Sequence, residues 1–395
     1  MNAVTSTTGA AEAAGTADTT RRWHESHRRL LDAVSASGAL TPDWRPSFEA
    51  VPRHLFLPER VWRYGADGYV PVHRAGEPDA WWELAYADEP VVTQLDEGAA
   101  GGPGEATSSS SMPSLVARML AELEVGRGGE RVLEIGTGTG WNAALLVHRL
   151  GDARVVTVEV DPALAERARH ALASAGRAPR VVWGDGVSGW ARGAPYDRVL
   201  ATCSVLRVPG AWVAQTAPGG RIVAPLHRDV WSGGLVSLTV QDGGLARGRF
   251  TGSAWFMPLR ADRLPAPAVD SATARSSTTG LDPARVTEPG FCAWAFARLP
   301  DITMTYADED GGARRLWLTG RDGSAATAAG DGRSGDGSGL FEVWQYGPAS
   351  PWDRVEAAWS AYEAEGRPEQ GEFGLTVTRD GRQEVWLRDP AHVIG

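Results

Sequence analysis

The sequence reads as an α/β protein: a Rossmann-like core with a mostly parallel sheet, followed by a smaller α+β domain at the C-terminal end. Three observations point there. Between residues 131 and 226, short β-branched runs alternate with helical stretches, the rhythm of right-handed strand–helix–strand crossovers. After Leu226 the rhythm changes to hairpins. The length of 395 residues exceeds one ordinary domain, so a seam is expected.

Taken in order, the first twenty residues are small and polar, lack the apolar run of a signal peptide or anchor, and read as a disordered tail. Trp23, His27, Leu30, Leu31 and Val34 then recur at the spacing of one helical face, between Arg22 and Gly38. Val51 to Pro58 reads as an extended or short helical lead-in, and the small, polar stretch Ala99 to Ser111 as a loop. Strands are expected at Arg131 to Ile135, Val155 to Val160, Arg180 to Trp183, Asp197 to Ala201 and Arg221 to Ala224. Asp161 and Pro162 open a helix as cap and first residue; Leu164, Ala168, Ala171, Leu172 and Ala175 form its face, and Gly176 closes it. A hairpin turns at Asp242-Gly243-Gly244.

Residues 261–285, rich in Ala, Pro, Ser and Thr, read as a linker or surface excursion. Beyond them, strand-like runs stand at Phe291 to Phe296, Arg315 to Leu318, Leu340 to Tyr346, Phe373 to Thr378 and Glu384 to Leu387. One helix interrupts them, with Ser350 as cap, Pro351 as its start, Trp352, Val355, Trp359 and Tyr362 on one face and Gly366 at its end. The Gly, Asp and Ser rich stretch Gly320 to Gly339 reads as disordered. The expected organisation is a tail over 1–20, a main domain over 21–260, a linker over 261–285 and a module over 286–395.

Composition narrows the function. With 39 Lys plus Arg against 49 Asp plus Glu, a net charge of −10 repels a phosphate backbone, so nucleic acid is not an expected partner. Cys203 and Cys292 have no Cys-x-x-Cys spacing, which gives neither a disulfide framework nor a zinc knuckle and suits a cytoplasmic location without a membrane. The histidines form no metal-ligand pair, so no metal is expected, and His148 reads as a surface or packing residue within a helix. No Gly-x-Ser-x-Gly elbow supports a hydrolase triad.

The chemistry concentrates at Val132-Leu133-Glu134-Ile135-Gly136-Thr137-Gly138-Thr139-Gly140, a buried strand running into a glycine-rich turn ahead of the helical stretch Asn142 to Leu150. Glycines there let backbone approach a ligand at the carboxyl end of the first strand, where open α/β sheets bind cofactors. Glu159, at the end of the second strand, is placed to accept hydrogen bonds from a ribose diol. The dinucleotide fingerprint needs a third glycine where this chain has Trp141. A carboxylate at Glu134 disfavours pyrophosphate and suits the ammonium of a methionine moiety, which favours S-adenosyl-L-methionine over NAD. Gly184-Asp185-Gly186 ends the third strand, where an adenine edge is met.

From Ala50 to Leu226 the chain resembles the protein-L-isoaspartate O-methyltransferases. The motifs agree in order: Val51-Pro52-Arg53 with Phe56, Tyr86-Ala87-Asp88, Ser111-Met112-Pro113, the Glu134 to Gly140 turn, Glu159, Gly184-Asp185-Gly186, and Gly219 to Pro225. The resemblance implies cofactor contacts from Glu134, Gly136, Thr137, Gly138, Gly140, Glu159, Asp185 and Gly186, an active-site serine at Ser111, and substrate contacts from Ser110, Ser111 and Thr202. Two positions depart from the family pattern: Ser114 and Val116 stand where histidines are usual.

The Ser108 to Ser111 run, Trp81-Trp82 and the long C-terminal region look like the actinobacterial branch that acts on ribosomally made peptides such as lanthipeptides, graspetides and lasso peptides. That likeness implies methyl esterification of an aspartate side chain in a modified, already cyclised precursor peptide, then aspartimide and isoaspartate. Protein repair at isoaspartate, or a non-catalytic methyltransferase-like adaptor, are the other readings. Ser111 is cast as a positioner of the nucleophile or as a cap of the helix Pro113 to Leu123. Arg53 and Arg207 suit substrate carboxylates or surface ion pairs, and Cys203 reads as a small buried thiol. Of seventeen tryptophans, Trp255 to Trp386 account for seven, expected to fill the appended module, while Trp81, Trp82 and Trp141 are expected near the site.

Overall fold

The computed structural model describes residues 23–66, 68–126, 128–227, 234–263, 269–309, 312–330 and 339–395. The expected tail therefore lies outside the described residues. The chain forms two compact units, Met1–Gly186 and Val187–Gly395.

The first unit opens with helix α1 over 23–36, which buries Leu30, Leu31 and Val34 on the expected face. Helix α2 (Arg45–Ala50) and a single 3-10 turn, Arg53–Phe56, lead into β1 (Arg60–Gly65), β2 (Gly68–His73), α3 (Pro78–Tyr86), β3 (Val91–Leu95) and β4 (Ala106–Ser110). The four strands make an antiparallel sheet in the order β2-β1-β3-β4. β4 corrects the expected loop. Its serines pair with the apolar strand β3 and bury Ser108 and Ser110, so the neighbouring strand supplies the driving force that the serine run conceals.

The same unit continues through α4 (Pro113–Glu122), β5 (Val132–Ile135), α5 (Trp141–Leu150), β6 (Val155–Glu159), α6 (Pro162–Ser174) and β7 (Arg180–Trp183). β5, β6 and β7 are parallel, with all side chains of β5 and β6 buried. This is why their residues are mostly apolar rather than alternating, with Glu134, Thr157 and Glu159 the buried exceptions. The cap of α6 forms as expected: Asp161 Oδ1 accepts from Ala163 N at 2.8 Å and Leu164 N at 3.1 Å, and Gly176 adopts φ +68° past its end.

The second unit holds β8 (Tyr196–Ala201), α7 (Gly210–Gln215), β9 (Thr216–Leu226), β10 (Gly234–Gln241), β11 (Leu245–Gly252), β12 (Arg275–Thr279), α8 (Pro289–Arg298), β13 (Ile302–Asp308), β14 (Arg314–Gly320), β15 (Ala325–Gly330), β16 (Phe341–Tyr346), α9 (Pro351–Ala364), β17 (Phe373–Thr378) and β18 (Gln383–Leu387). β8 runs parallel to β9, and β9, β10, β11, β17 and β18 follow antiparallel. β17 thus joins the 286–395 region to the sheet of the expected main domain. A second antiparallel sheet has the order β12-β16-β15-β14-β13.

Four local expectations are corrected here. The 261–285 linker contains β12, paired with β16. Phe291 to Phe296 is helical: a short apolar run fits either state, and Pro289 in the first turn with Phe291 and Trp294 three apart decides for helix α8. Phe291 stands 4.9 Å from Trp359 and 5.5 Å from Tyr362 of α9. Within the stretch expected to be disordered, Ala325–Gly330 forms the central strand β15, whose small side chains pack between two neighbours, while 331–338 lies outside the described residues. Ser350 makes no side-chain cap; Gln345 Oε1 accepts from Trp352 N at 3.0 Å instead.

Candidate active site

β5 ends where Gly136 N and Thr137 N donate to Val158 O at 2.9 and 3.3 Å, which ties the glycine turn to β6. Gly140 adopts φ +88°, and a Cβ there would stand 3.3 Å from Leu172 Cγ and 3.5 Å from Ala168 Cβ. Glycine at this position lets α5 start against α6. Trp141, which breaks the dinucleotide fingerprint, is buried in the first turn of α5 and donates through Nε1 to Val51 O at 3.1 Å. Thr137 and Thr157 are joined through their hydroxyls at 2.7 Å.

Two carboxylates frame this turn. Glu159 Oε2 accepts from Gly138 N at 2.8 Å, and its Oε1 accepts from Asp161 N at 3.1 Å. Glu134 is fully buried; its Oε1 accepts from Asn142 Nδ2 at 2.6 Å, while its Oε2 and Asn142 Oδ1 meet no donor. Burial pushes the Glu134 carboxyl up to about 7, with the Thr157 and Asn142 side chains pulling the other way and Glu159 adding to the rise. Two unsatisfied buried acceptors cost about 1–3 kcal/mol each. A cationic donor would satisfy both and a pyrophosphate neither, so the residues present fit the ammonium of S-adenosyl-L-methionine.

The turn after β7 carries Asp185, which is exposed, and Gly186, which is buried. Gly184 N donates to Glu159 O at 2.9 Å, fixing this turn to the end of β6. Trp183 pairs in register with Glu159, is 65% exposed, and donates through Nε1 to Val160 O at 3.2 Å. An open indole beside Glu159 was not legible in the sequence, where Trp183 looks like any strand aromatic.

β4 lies along the glycine turn, with Ser109 O 3.6 Å from where a Cβ of Gly138 would stand. Arg53 fixes it there. Only 1% exposed, its guanidinium donates from Nε to Ser110 Oγ at 3.0 Å and from Nη2 to Ser110 O, Ser111 O and Glu89 O at 2.9, 3.0 and 2.9 Å. Nη1 reaches Ala87 O at 3.1 Å and Ala85 O at 3.4 Å. Arg53 is therefore neither a substrate ligand nor a surface ion pair: it organises the Tyr86-to-Ser111 neighbourhood through backbone carbonyls. The Ser110 hydroxyl, expected on substrate, is buried against Arg53.

Ser111 is half-buried and held through its carbonyl. It does not cap α4, since Asp88 Oδ1 accepts from Ser114 N at 2.8 Å and does so instead. Thr202 follows β8 in the second unit and is half-buried. Arg207 donates to Gly381 O at 3.3 Å. Cys203, expected buried, is half-buried, and His148 Nδ1 lies 3.0 Å from Ser47 Oγ. The first unit thus brings together Glu134, Thr137, Gly138, Gly140 and Glu159 with the Ser108-to-Ser111 strand.

The family model described as protein-L-isoaspartate(D-aspartate) O-methyltransferase matches residues 75–263. Protein-L-isoaspartate O-methyltransferase 1 of Rhodopseudomonas palustris is 36% identical over 213 residues, 54% of this chain and 73% of that protein. The Anaeromyxobacter protein of the same name is 38% identical over 208 residues, 52% of this chain and 81% of its own, and protein-L-isoaspartate O-methyltransferase 2 of Archaeoglobus fulgidus is 31% identical over 243 residues, 61% and 95%. A solved protein-L-isoaspartate O-methyltransferase superposes with a TM-score of 0.53 at 21% identity, covering 92% of this chain and all of that one, which is a likeness of fold. With the glycine turn, its two carboxylates and the Arg53-held serine strand in place, the chain belongs to the protein-L-isoaspartate(D-aspartate) O-methyltransferase family of S-adenosyl-L-methionine-dependent carboxyl O-methyltransferases.

Proposed function

We propose that this enzyme esterifies an aspartate side-chain carboxylate in a ribosomally made, modified precursor peptide. The observation that carries the reading is the serine strand clamped by Arg53 against the glycine turn, with half-buried Ser111 just past its end. When bound, S-adenosyl-L-methionine supplies an electrophilic methyl group. Glu134 receives the ammonium, Glu159 the ribose hydroxyls, and Asp185 with Gly186 the adenine side, while Gly136, Thr137, Gly138 and Gly140 give the backbone approach. Ser111 orients the peptide carboxylate.

No general base is required, because an aspartate carboxyl, which ordinarily titrates near pH ~4, is already ionised at neutral pH. The protein's task is to hold nucleophile and methyl carbon in line at roughly 3 Å and to exclude water. The methyl ester then makes an alkoxide a leaving group. The following backbone nitrogen attacks the ester carbon, methanol departs with the amide proton, and a succinimide ring remains.

Ser114 and Val116, in place of histidines on α4, support a substrate other than the damaged proteins of ordinary repair. Length does not separate the two readings, since the fold likeness to the solved enzyme spans nearly the whole chain. The names of the relatives favour repair as the second reading. The test supplies labelled S-adenosyl-L-methionine with either a cyclised precursor peptide encoded beside this gene or short L-isoaspartyl peptides. A kcat/KM at least a hundredfold higher on the precursor is expected; the reverse order returns the protein to repair.

A further inference from the structure

The hairpin β1–β2 presents a surface that the cofactor site does not use. It precedes the family-matched span, which begins at residue 75. Val61 and Val72, paired in register, are buried and form its inner face. The opposite face carries Trp62 across from Pro71, Tyr64 across from Tyr69 and Arg60 across from His73. Tyr64 is 74% exposed, its ring 5.1 Å from that of Tyr69, and Trp62 and Tyr69 are half-buried. Open aromatic groups clustered on one sheet face mark an interaction surface.

Register connects this face to the site. Trp62 pairs with Val92 of β3 and Val92 with Ser109 of β4, whose carbonyl borders the glycine turn at Gly138. Pro71 removes a donor from the outer strand β2, so a partner is recruited by the face rather than by strand addition.

Charge selects the partner. In a chain of net charge −10, β1 and β2 carry no carboxylate; Arg60 stands on the aromatic face, while Arg63, paired with Val70, lies on the face of Val61. Among the described residues neither guanidinium pairs with an acidic side chain. Arg60 lies 4.8 Å over the Trp62 ring, a stacking that leaves its N–H fork to take a carboxylate. We infer that this hairpin docks an acidic, aromatic- or aliphatic-bearing segment of the peptide substrate that flanks the aspartate to be methylated. The inference rests on the peptide reading above and names the chemistry of the peptide's flank.

The test uses the full chain saturated with S-adenosylhomocysteine and two fluorescein-labelled twelve-residue peptides with a central Asp-Gly, one flanked by Glu and Phe, the other by Lys and Phe. Anisotropy is expected to show at least tenfold tighter binding of the acidic peptide. Arg60→Glu brings the two affinities within twofold, and Trp62→Ser with Tyr64→Ser weakens the acidic peptide at least fivefold, while S-adenosylhomocysteine affinity stays within twofold in both variants. Equal binding of the two peptides by the wild type, or unchanged binding by both variants, overturns the inference. So does sedimentation in which these variants dissociate a dimer, since the face would then serve a second copy of the chain. Acidic-peptide binding without methyl transfer to any aspartyl or isoaspartyl peptide refutes the catalytic reading and upholds docking. Transfer with the same KM for both flanks refutes docking alone.

Discussion

Glu134 is the residue at which the cofactor reading meets a titration. Its carboxyl is held near pH 7 by burial, above the ordinary value of a glutamate, so in the free protein it is protonated below that pH. The sign follows: the group stabilises the free fold below its unfolded pKa, and that contribution is lost as pH rises towards 7. A cation at Oε2 reverses the preference. S-adenosylhomocysteine should therefore bind about tenfold more weakly at pH 6 than at pH 8, and Glu134→Gln should flatten that slope while weakening binding at pH 8; calorimetry at the two pH values reads both. Arg53 makes a second case. Arg53→Lys keeps a cation but loses the fork that spans Ser110, Ser111, Ala87 and Glu89, so kcat should fall at least tenfold with S-adenosylhomocysteine affinity within threefold. Kinetics with the precursor peptide checks this; an unchanged kcat would mean that the serine strand does not need the clamp. That Glu134 and Glu159 flank the glycine turn was legible because each sits at or near the end of a strand that meets that turn. Arg53 was not, because all but one of its partners are carbonyls, brought in from 32 to 58 positions away, and nothing in their identity announces them.

At the scale of elements, the α5–α6 contact depends on Gly140. Gly140→Ala forces a side chain into the left-handed region and against Leu172, at a cost of about 1–2 kcal/mol for the backbone alone. Urea unfolding should show that loss, and methyl-donor binding should weaken with it. Asp88→Ala removes the acceptor for Ser114 N and should cost about 1 kcal/mol, with a lower Tm by calorimetry. The parallel strands β5 and β6 were readable because burial on both faces favours apolar, β-branched residues at most positions. β4 and β15 were not, since Ser and Ala side chains carry no strand signal of their own; their neighbours β3, β14 and β16 impose it. The run Phe291 to Phe296 fits both periods and was settled by Pro289 and by its stacking on Trp359 and Tyr362.

For the molecule as a whole, net charge and local charge give different advice. A balance of −10 suggests a basic partner, yet the aromatic face of the hairpin near the serine strand offers Arg60 to an acidic one. The tryptophans divide in the same way: Trp352 and Trp359 fill the core of the second unit, whereas Trp183 stands open beside Glu159. The most direct measurement is tandem mass spectrometry of the cyclised precursor peptide after brief incubation with S-adenosyl-L-methionine and the enzyme. The account predicts one added methyl on an aspartate side chain, followed by loss of methanol at the same residue, with neither change in the Asp→Asn peptide. Methyl found only on isoaspartate, or on no carboxylate at all, would contradict it.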